Sequence, residues 1–221
     1  MSEPTPEPGA PKRLPFMVWV ITFMVAIVMI AGASKLFRSS ERRDYEVTPA
    51  IGTVPEFHFT TQEGKTLTKS DLLGKVWVID FFFTRCPGPC PMMSSRLAEI
   101  SKELKKAKDV RLVSLSIDPE HDTPKTLKEY ASRFEANPER WLFLTGPKAE
   151  VETFTSKGML QALSSDTANP VNTVHSTRFL VINRQGQIRI ARKLDEPELV
   201  QKLLIDIGNL LREPYNKTTA P

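Results

Sequence analysis

The run KVWVIDFFF at residues 75–83 constrains the fold of this chain more than any other segment. It is almost continuously apolar and rich in β-forming residues, whereas a strand with one face in water alternates apolar and polar positions. A strand of this kind is buried on both faces, so it needs other elements packed above and below its sheet. The run therefore predicts a central strand of an α/β domain.

Helical and strand patterns alternate after this run. Apolar residues recur at helical spacing over 91–107, and Pro91 suits a first helical turn. Asp122 or Thr123 can cap a further helix that begins at Pro124. More strands are predicted at 110–117, 141–145, 176–183 and 187–191, and more helices near 148–157 and 195–212. This order, which ends in a hairpin and a helix, predicts a three-layer α/β fold.

The segment before this domain differs in composition. An apolar run starts at Pro15 and carries no charge through Ala33, just long enough for a helix to cross a hydrocarbon core of ~30 Å. We therefore predict one N-terminal transmembrane helix ahead of the α/β domain. The predicted parts are a disordered tail at 1–14, a transmembrane anchor at 15–36, a linker at 37–49, the folded domain at 50–212 and a flexible tail at 213–221.

A cleaved signal peptide is the alternative to a retained anchor, because Ala31-Gly32-Ala33 resembles a cleavage site. The apolar run is long for a signal peptide, which favours the anchor. Basic residues are more numerous after the run than before it, and the positive-inside rule would then keep the domain in the cytoplasm. The thiol chemistry of the domain favours the opposite side of the membrane, and we adopt that orientation.

The charge balance argues against a nucleic-acid partner. The chain has 30 Lys and Arg against 26 Asp and Glu, a net charge of +4, and these charges are mixed along its length. A nucleic-acid interface would need a basic patch with interleaved aromatic residues, and the sequence has no such run.

The chain has two cysteines, and both lie in the segment CPGPC between the predicted central strand and the next helix. Open α/β sheets usually place their sites at this end of a strand. Amide N–H groups at the helix start, together with Arg85, favour the thiolate form. Cys86 and Cys90 are therefore interpreted as a disulfide pair or as thiolate ligands of a soft metal ion. A pair of inert buried thiols is the less favoured interpretation.

The histidines limit which metal fits such a pair. Closed zinc sites use four protein ligands, whereas this chain has two cysteines and three isolated histidines. Two thiolates and one imidazole would suit Cu(I), and an open fourth position would accept Cu(II). His58 lies in an early strand and His121 in a turn, whereas His175 directly precedes the predicted strand at 176–183. Position alone makes His175 a candidate and does not assign it as a ligand.

Three segments, in order along the chain, resemble the Sco/SenC family. FTRCPGPCP at 83–91 is similar to its F-T-x-C-P-x-x-C-P signature, and SIDPEHDTP at 116–124 is similar to its S-x-D-P-x-x-D-T-P segment. His175-Ser176, followed by FLVIN and Gly186, is similar to the family's histidine before a strand and turn. The resemblance covers roughly residues 50–212.

The resemblance implies a thioredoxin-like fold with a central mixed sheet, on an N-terminal membrane anchor. It implies one copper ion per chain, bound by Cys86, Cys90 and His175. It also implies a metallochaperone that helps to build the binuclear copper site of cytochrome c oxidase, by delivering copper or by reducing thiols. The expected partners are the copper-bearing subunit of that oxidase or another copper chaperone, and the N-terminal helix would hold the protein at the membrane.

The chain departs from the family at one position, where Val174 stands in place of the usual Asp before the histidine. An imidazole without that carboxylate lacks a group that would orient it. Asp118 and Asp122 are interpreted as turn and helix-cap residues, and Met92 and Met93 as core-packing residues.

A thiol–disulfide oxidoreductase without a copper-delivery role is the alternative function, in which one cysteine attacks a partner disulfide and the other resolves the product. A structural disulfide is less favoured, because the loop it closes is too short to constrain the unfolded chain much. Either thiol function suits a compartment outside the reducing cytosol. The N-terminus is acidic, unlike a mitochondrial targeting segment. We therefore expect a single-pass protein of the bacterial inner membrane, with its C-terminal domain in the periplasm.

Overall fold

The computed structural model describes residues 16–40, 49–159 and 177–215. The chain divides into two compact units, Met1–Glu46 and Val47–Pro221. The first unit contains helix α1, Phe16–Ser40. Within the described ranges, no helix combines the length and the apolarity that a membrane crossing requires. The predicted N-terminal helix is present, but the prediction that it spans a membrane is not supported.

The second unit alternates strands and helices. In chain order its elements are β1 Gly52–Thr53, β2 His58–Thr61, β3 Thr66–Thr68, α2 Lys69–Leu72, β4 Val76–Phe82, α3 Pro89–Glu103, β5 Val110–Ser116, α4 Pro124–Ser132, β6 Trp141–Thr145, α5 Lys148–Thr153, β7 Arg178–Ile182, β8 Gln187–Lys193 and α6 Leu199–Arg212. A π-helical turn, Phe154–Met159, continues α5. The short elements β1, β3 and α2 were not predicted, because two to four residues are too few to establish a periodicity.

The described strands form one sheet, in the order β1-β8-β7-β4-β5-β6-β2-β3. Strand β4 is parallel to β5, and β5 is parallel to β6, while β4 is antiparallel to β7. The sheet is therefore mixed, as predicted. Because β4 and β5 run in the same direction, Phe82 pairs with Ser116 at one edge of the sheet, and the loops that follow both strands start there.

Strand β4 is buried on both faces, as its composition predicts. Val78 and Phe82 belong to a core cluster that includes residues of α3, α4 and α6. Trp77 and Ile79 point the other way, into a cluster that includes residues of α2 and α5. Helices therefore cover both faces of the sheet, and the predicted three-layer arrangement is confirmed.

Several element limits differ from the prediction. Helix α6 begins at Leu199 rather than near 195, because a residue before Pro197 is disfavoured in helical conformation. The predicted turn before β8 is present, with Gly186 at φ +76°. The chain after α6 packs at least through Glu213, which is buried and ion-paired to Arg189 at 2.8 Å. The predicted limits of tails, linker and domain remain predictions.

The middle of β4 carries a carboxyl group in the core. Asp80 is fully buried, and its Oδ1 accepts a hydrogen bond from Ser114 Oγ at 2.6 Å. That hydroxyl in turn accepts a hydrogen bond from Trp141 Nε1 at 2.9 Å. Within the described part of the chain, Asp80 Oδ2 has no hydrogen-bond partner. Burial raises the pKa of Asp80 to about 7, although the Ser114 hydrogen bond opposes this shift.

Replacing Asp80 by Asn is expected to stabilise the protein above neutral pH. The folded-state pKa lies above the ordinary value of 3.8, so the stability of the wild type should fall as the pH rises from about 4 to about 7. A shift of this size corresponds to roughly 4 kcal/mol at most. Asn cannot ionise, so Asp80→Asn should exceed the wild type by roughly 2 to 4 kcal/mol at pH 8.

Denaturant unfolding between pH 4 and pH 9 would measure this difference. Asp109→Asn, at an exposed carboxylate, is the matched control and should follow the wild-type curve. A difference between Asp80→Asn and the wild type that stays constant across this range would contradict the assignment.

Candidate metal centre

The two cysteines lie at the carboxyl end of β4, on the loop that leads into α3. Cys86 is in the loop, where its N–H donates to the carbonyl of Phe83 at 3.1 Å. Cys90 is in the first turn of α3, whose N-cap residue is Gly88. The inner face of α3 continues into the core through Met93, so Cys90 points inward. The predicted position of both thiols, after the central strand, is confirmed.

Both cysteines are free thiols and both are buried, with 9% of Cys86 and 5% of Cys90 exposed. Burial raises the pKa of Cys86, but hydrogen bonds from the Cys90 thiol and from the N–H groups of Cys90 and Gly88 outweigh it, so the pKa is lowered. Burial and the hydrogen bond to Cys86 raise the pKa of Cys90 to about 12. The loop thus contains one thiol whose pKa is lowered and one whose pKa is raised, so Cys86 loses its proton before Cys90 does.

A cavity of about 280 Å³ opens beside the thiols. Its lining includes Cys86, Cys90, Met93, Ile117 and Thr177, and much of its wall is apolar. Thr177 is the first described residue after the range 160–176, so the chain re-enters the described structure at the edge of this cavity.

The third predicted ligand, His175, lies outside the described residues, as does Val174. Its place in the site remains a prediction. Across the described ranges, no group of three or more His, Cys, Asp or Glu side chains could hold a metal ion. The other two histidines do not line the cavity. His58 is exposed near Glu150, and His121 Nδ1 lies 3.0 Å from Asp118 Oδ1.

The segment after β5 contacts the cysteine loop through two carboxylates. Asp118 Oδ2 accepts a hydrogen bond from Arg85 Nη2 at 2.8 Å, and this bond, with a smaller contribution from His121, lowers the pKa of Asp118. Asp122 is fully buried and accepts hydrogen bonds from both the N–H and the hydroxyl of Thr84. These two carboxylates therefore hold the two residues that precede Cys86.

The structure corrects the interpretation of Asp122 as a helix cap. Thr123 is the N-cap of α4, and its side chain accepts a hydrogen bond from the N–H of Thr126. Asp118 does form a turn, in which its carbonyl accepts from the N–H groups of His121 and Asp122. Sequence analysis missed the contacts of Asp118 and Asp122 with the cysteine loop. The order strand, helix, strand was the signal that could have revealed them, because it favours parallel strands, and the carboxyl ends of β4 and β5 then lie side by side.

The methionines beside the site differ from each other. Met93 is buried in the core and lines the cavity, as predicted. Met92 is 58% exposed, so its interpretation as a core residue was wrong. Residues two apart on a helix point to different sides, and Met92 follows Cys90 by two positions on α3.

The sequence model of the SCO1/SenC family matches residues 46–211 of this chain. The chain belongs to the SCO1/SenC family. Among curated relatives, the SCO1 protein homolog of Bacillus subtilis is 35% identical over 147 residues, which cover 66% of this chain and 72% of the relative. Protein SCO2, mitochondrial, of Saccharomyces cerevisiae is 28% identical over 214 residues, which cover 90% of this chain and 69% of the relative.

Solved structures of family members superpose on the same domain. A SCO1/SenC family lipoprotein from Bacillus anthracis has a TM-score of 0.63 at 30% identity, covering 73% of this chain and 96% of its own. BsSco, a Sco-family cytochrome c oxidase assembly protein with a disulfide switch, has a TM-score of 0.60 at 31% identity. The match covers 74% of this chain and 95% of BsSco. Yeast Sco1 with copper bound has a TM-score of 0.58 at 26% identity, and the match covers 78% of this chain and 99% of yeast Sco1. The mixed α/β sheet thus matches the thioredoxin-like fold of the family.

Proposed function

We propose that this chain is a copper-binding assembly factor, and that one copper ion is its cargo. The observation that carries the proposal is a pair of reduced, buried thiols, Cys86 and Cys90, facing one largely apolar cavity on a SCO1/SenC domain. Thiolate ligands in a set of low coordination number favour Cu(I). Apolar walls limit the access of water and of competing oxygen ligands.

His175 completes the proposed ligand set. Thr177 lines the cavity beside both cysteines, and His175 precedes it by two residues in the chain. This proximity in sequence supports an imidazole as the third ligand, since a chain of three residues spans up to ~10 Å. Two thiolates and one imidazole would hold Cu(I) and leave a position through which Cu(II) is accepted or an acceptor thiol enters.

The proposed acceptor is the binuclear copper site of cytochrome c oxidase, on its copper-bearing subunit, or another copper chaperone. Two relatives support this proposal: yeast Sco1 crystallised with copper bound, and BsSco from a family of cytochrome c oxidase assembly proteins. The chain would either deliver copper to that site or reduce the thiols that receive it. In delivery, thiols of the acceptor would replace the ligands of this chain one at a time.

Cu(I) titration of the full-length, reduced protein against a competing chelator tests the ligand set. We expect one copper ion per chain in the wild type. Loss of a ligand in Cys86→Ser, Cys90→Ser or His175→Ala should weaken binding by at least about tenfold, because even groups that only orient a ligand affect affinity by that much.

His58→Ala is the control for this titration, since His58 is exposed and does not line the cavity. Its copper affinity should equal that of the wild type. Unchanged affinity in His175→Ala would remove His175 from the site, and absence of competitive uptake by the wild type would reject the copper function.

Thiol–disulfide exchange is the second candidate function, because the free thiols are hydrogen-bonded to each other and differ in pKa. The Cys86 thiolate would attack a partner disulfide, forming a mixed disulfide and releasing one partner thiolate. Cys90 would then lose its proton and attack the Cys86 sulfur. This step forms the Cys86–Cys90 disulfide and releases the second partner thiol, so the partner gains the two electrons that the pair loses.

A Cys90→Ser variant is expected to trap the partner as a mixed disulfide, because the resolving thiol is missing. Cys86→Ser should trap little, since the remaining thiol keeps its proton. Mass spectrometry after incubation with a disulfide-containing peptide of the acceptor subunit would count the adducts. Equal trapping by both variants would contradict the assigned roles, and trapping by neither would reject exchange chemistry.

We infer that the domain works in the bacterial periplasm, where a thiol pair can cycle through a disulfide. Alkaline phosphatase fused after Pro221 should then be active, because that enzyme needs an oxidising compartment for its own disulfides. β-Galactosidase fused at the same point is the control and should be inactive. The reverse pattern would move the domain to the cytoplasm.

A further inference from the structure

The loop that carries Cys86 is tied to the domain from its buried side by one carboxyl group. Asp122 has no exposed surface. Its Oδ2 accepts a hydrogen bond from the N–H of Thr84 at 3.0 Å, and its Oδ1 accepts one from the Thr84 hydroxyl at 2.5 Å. Both bonds end on the residue two positions before Cys86.

Asp122 is itself held in place by the neighbouring strand. Ser116, the last residue of β5, donates a hydrogen bond from its hydroxyl to Asp122 Oδ2 at 2.5 Å. The N–H of Asp122 donates to the carbonyl of Asp118 at 2.9 Å. Three donors converge on the carboxyl group, so both of its oxygens have hydrogen-bond partners. The group that holds the loop is therefore itself hydrogen-bonded to the last residue of β5.

The two sulfurs depend on different parts of the structure. Cys90 is fixed by α3, whose inner face packs into the core through Met93. Cys86 lies in the irregular segment between β4 and α3, where its backbone N–H donates to the carbonyl of Phe83 and its sulfur accepts hydrogen bonds from the N–H groups of Gly88 and Cys90. The position of the Cys86 sulfur thus depends on these bonds to the start of α3 and, through the backbone, on how the residues before Cys86 are held.

We propose that Asp122 is a positioning residue, which sets the placement of the Cys86 sulfur beside Cys90 through its two hydrogen bonds to Thr84. The exposed ion pair of Arg85 with Asp118 also reaches this loop, but Arg85 is 60% exposed there, and such surface pairs contribute little. The contact of Thr84 with Asp122 is the stronger one, because Asp122 is fully buried and a buried acceptor left without its donors is destabilising. This inference goes beyond the proposed function, since it concerns the thiol pair whether or not the pair carries copper.

The test is the equilibrium between the dithiol and the disulfide of the full-length protein in glutathione buffers. In this reaction Cys86 and Cys90 lose two electrons and two protons to oxidised glutathione, which becomes two molecules of glutathione. Thr84→Val removes the hydrogen bond from the Thr84 hydroxyl, and Asp122→Asn removes the carboxylate that accepts both bonds from Thr84. Each is expected to change the equilibrium constant at least about tenfold, or about 30 mV for a two-electron couple.

Two further variants separate positioning from simple loss of stability. Thr84→Ser keeps the hydroxyl and should stay within about twofold of the wild type. Gln62→Met removes two buried hydrogen bonds at β6, to the Trp141 carbonyl and from the Phe143 N–H, and should lower stability without changing the thiol equilibrium. Asp122→Asn is compared with Gln62→Met at matched loss of stability.

A tenfold shift in Thr84→Val that Thr84→Ser and Gln62→Met do not reproduce would support the inference. It would do so even if the wild type takes up no copper, so failure of the proposed function remains a separate result. A dithiol–disulfide equilibrium constant in Thr84→Val equal to that of the wild type would overturn the inference, whether or not Asp122→Asn folds. A shift in Asp122→Asn no larger than that in Gln62→Met would also overturn it.

Discussion

The burial of strand β4 on both faces is the constraint on which the rest of the domain depends. Side chains from this one strand enter both core clusters, so the helical layers above and below are held against a common centre. The strand ends at Phe82 and the chain turns toward α3 four residues before Cys86. The thiols therefore lie where the buried central strand ends and its side chains still pack into both core clusters.

Two buried carboxyl groups of the domain, Asp122 and Asp80, differ in how fully they are hydrogen-bonded. Asp122 receives three hydrogen bonds and links the cysteine loop to the next strand. Asp80 receives one, from Ser114, and its pKa rises to about 7. The hydrogen bonds of Asp122 join two segments of the chain, whereas the single bond from Ser114 does not offset the burial of Asp80.

Much of this arrangement was predictable from local patterns. The central strand follows from a continuous apolar run, the thiol loop from the cysteine spacing, and the start of α4 at Pro124 from the capping residues Asp122 or Thr123, of which the structure uses Thr123. Met92 was misassigned because a place at the start of an amphipathic helix does not by itself tell which side a residue faces, and Met92 lies outside the apolar spacing that Met93 and Leu97 share. The short strands β1 and β3 were missed because two or three residues are too few to show an alternating pattern. The place of His175 remains a prediction, because that residue lies outside the described ranges.

The sequence by itself determined the class of fold, the position of the thiols and the family, because these depend on the order and type of neighbouring residues. Only the tertiary structure decided that Asp122 holds Thr84, which lies 38 positions away, and that the two cysteines have unlike pKa values. The first depends on parallel pairing of β4 with β5, and the second on burial and on which N–H groups face each sulfur. Both are set by contacts between segments that no local pattern records.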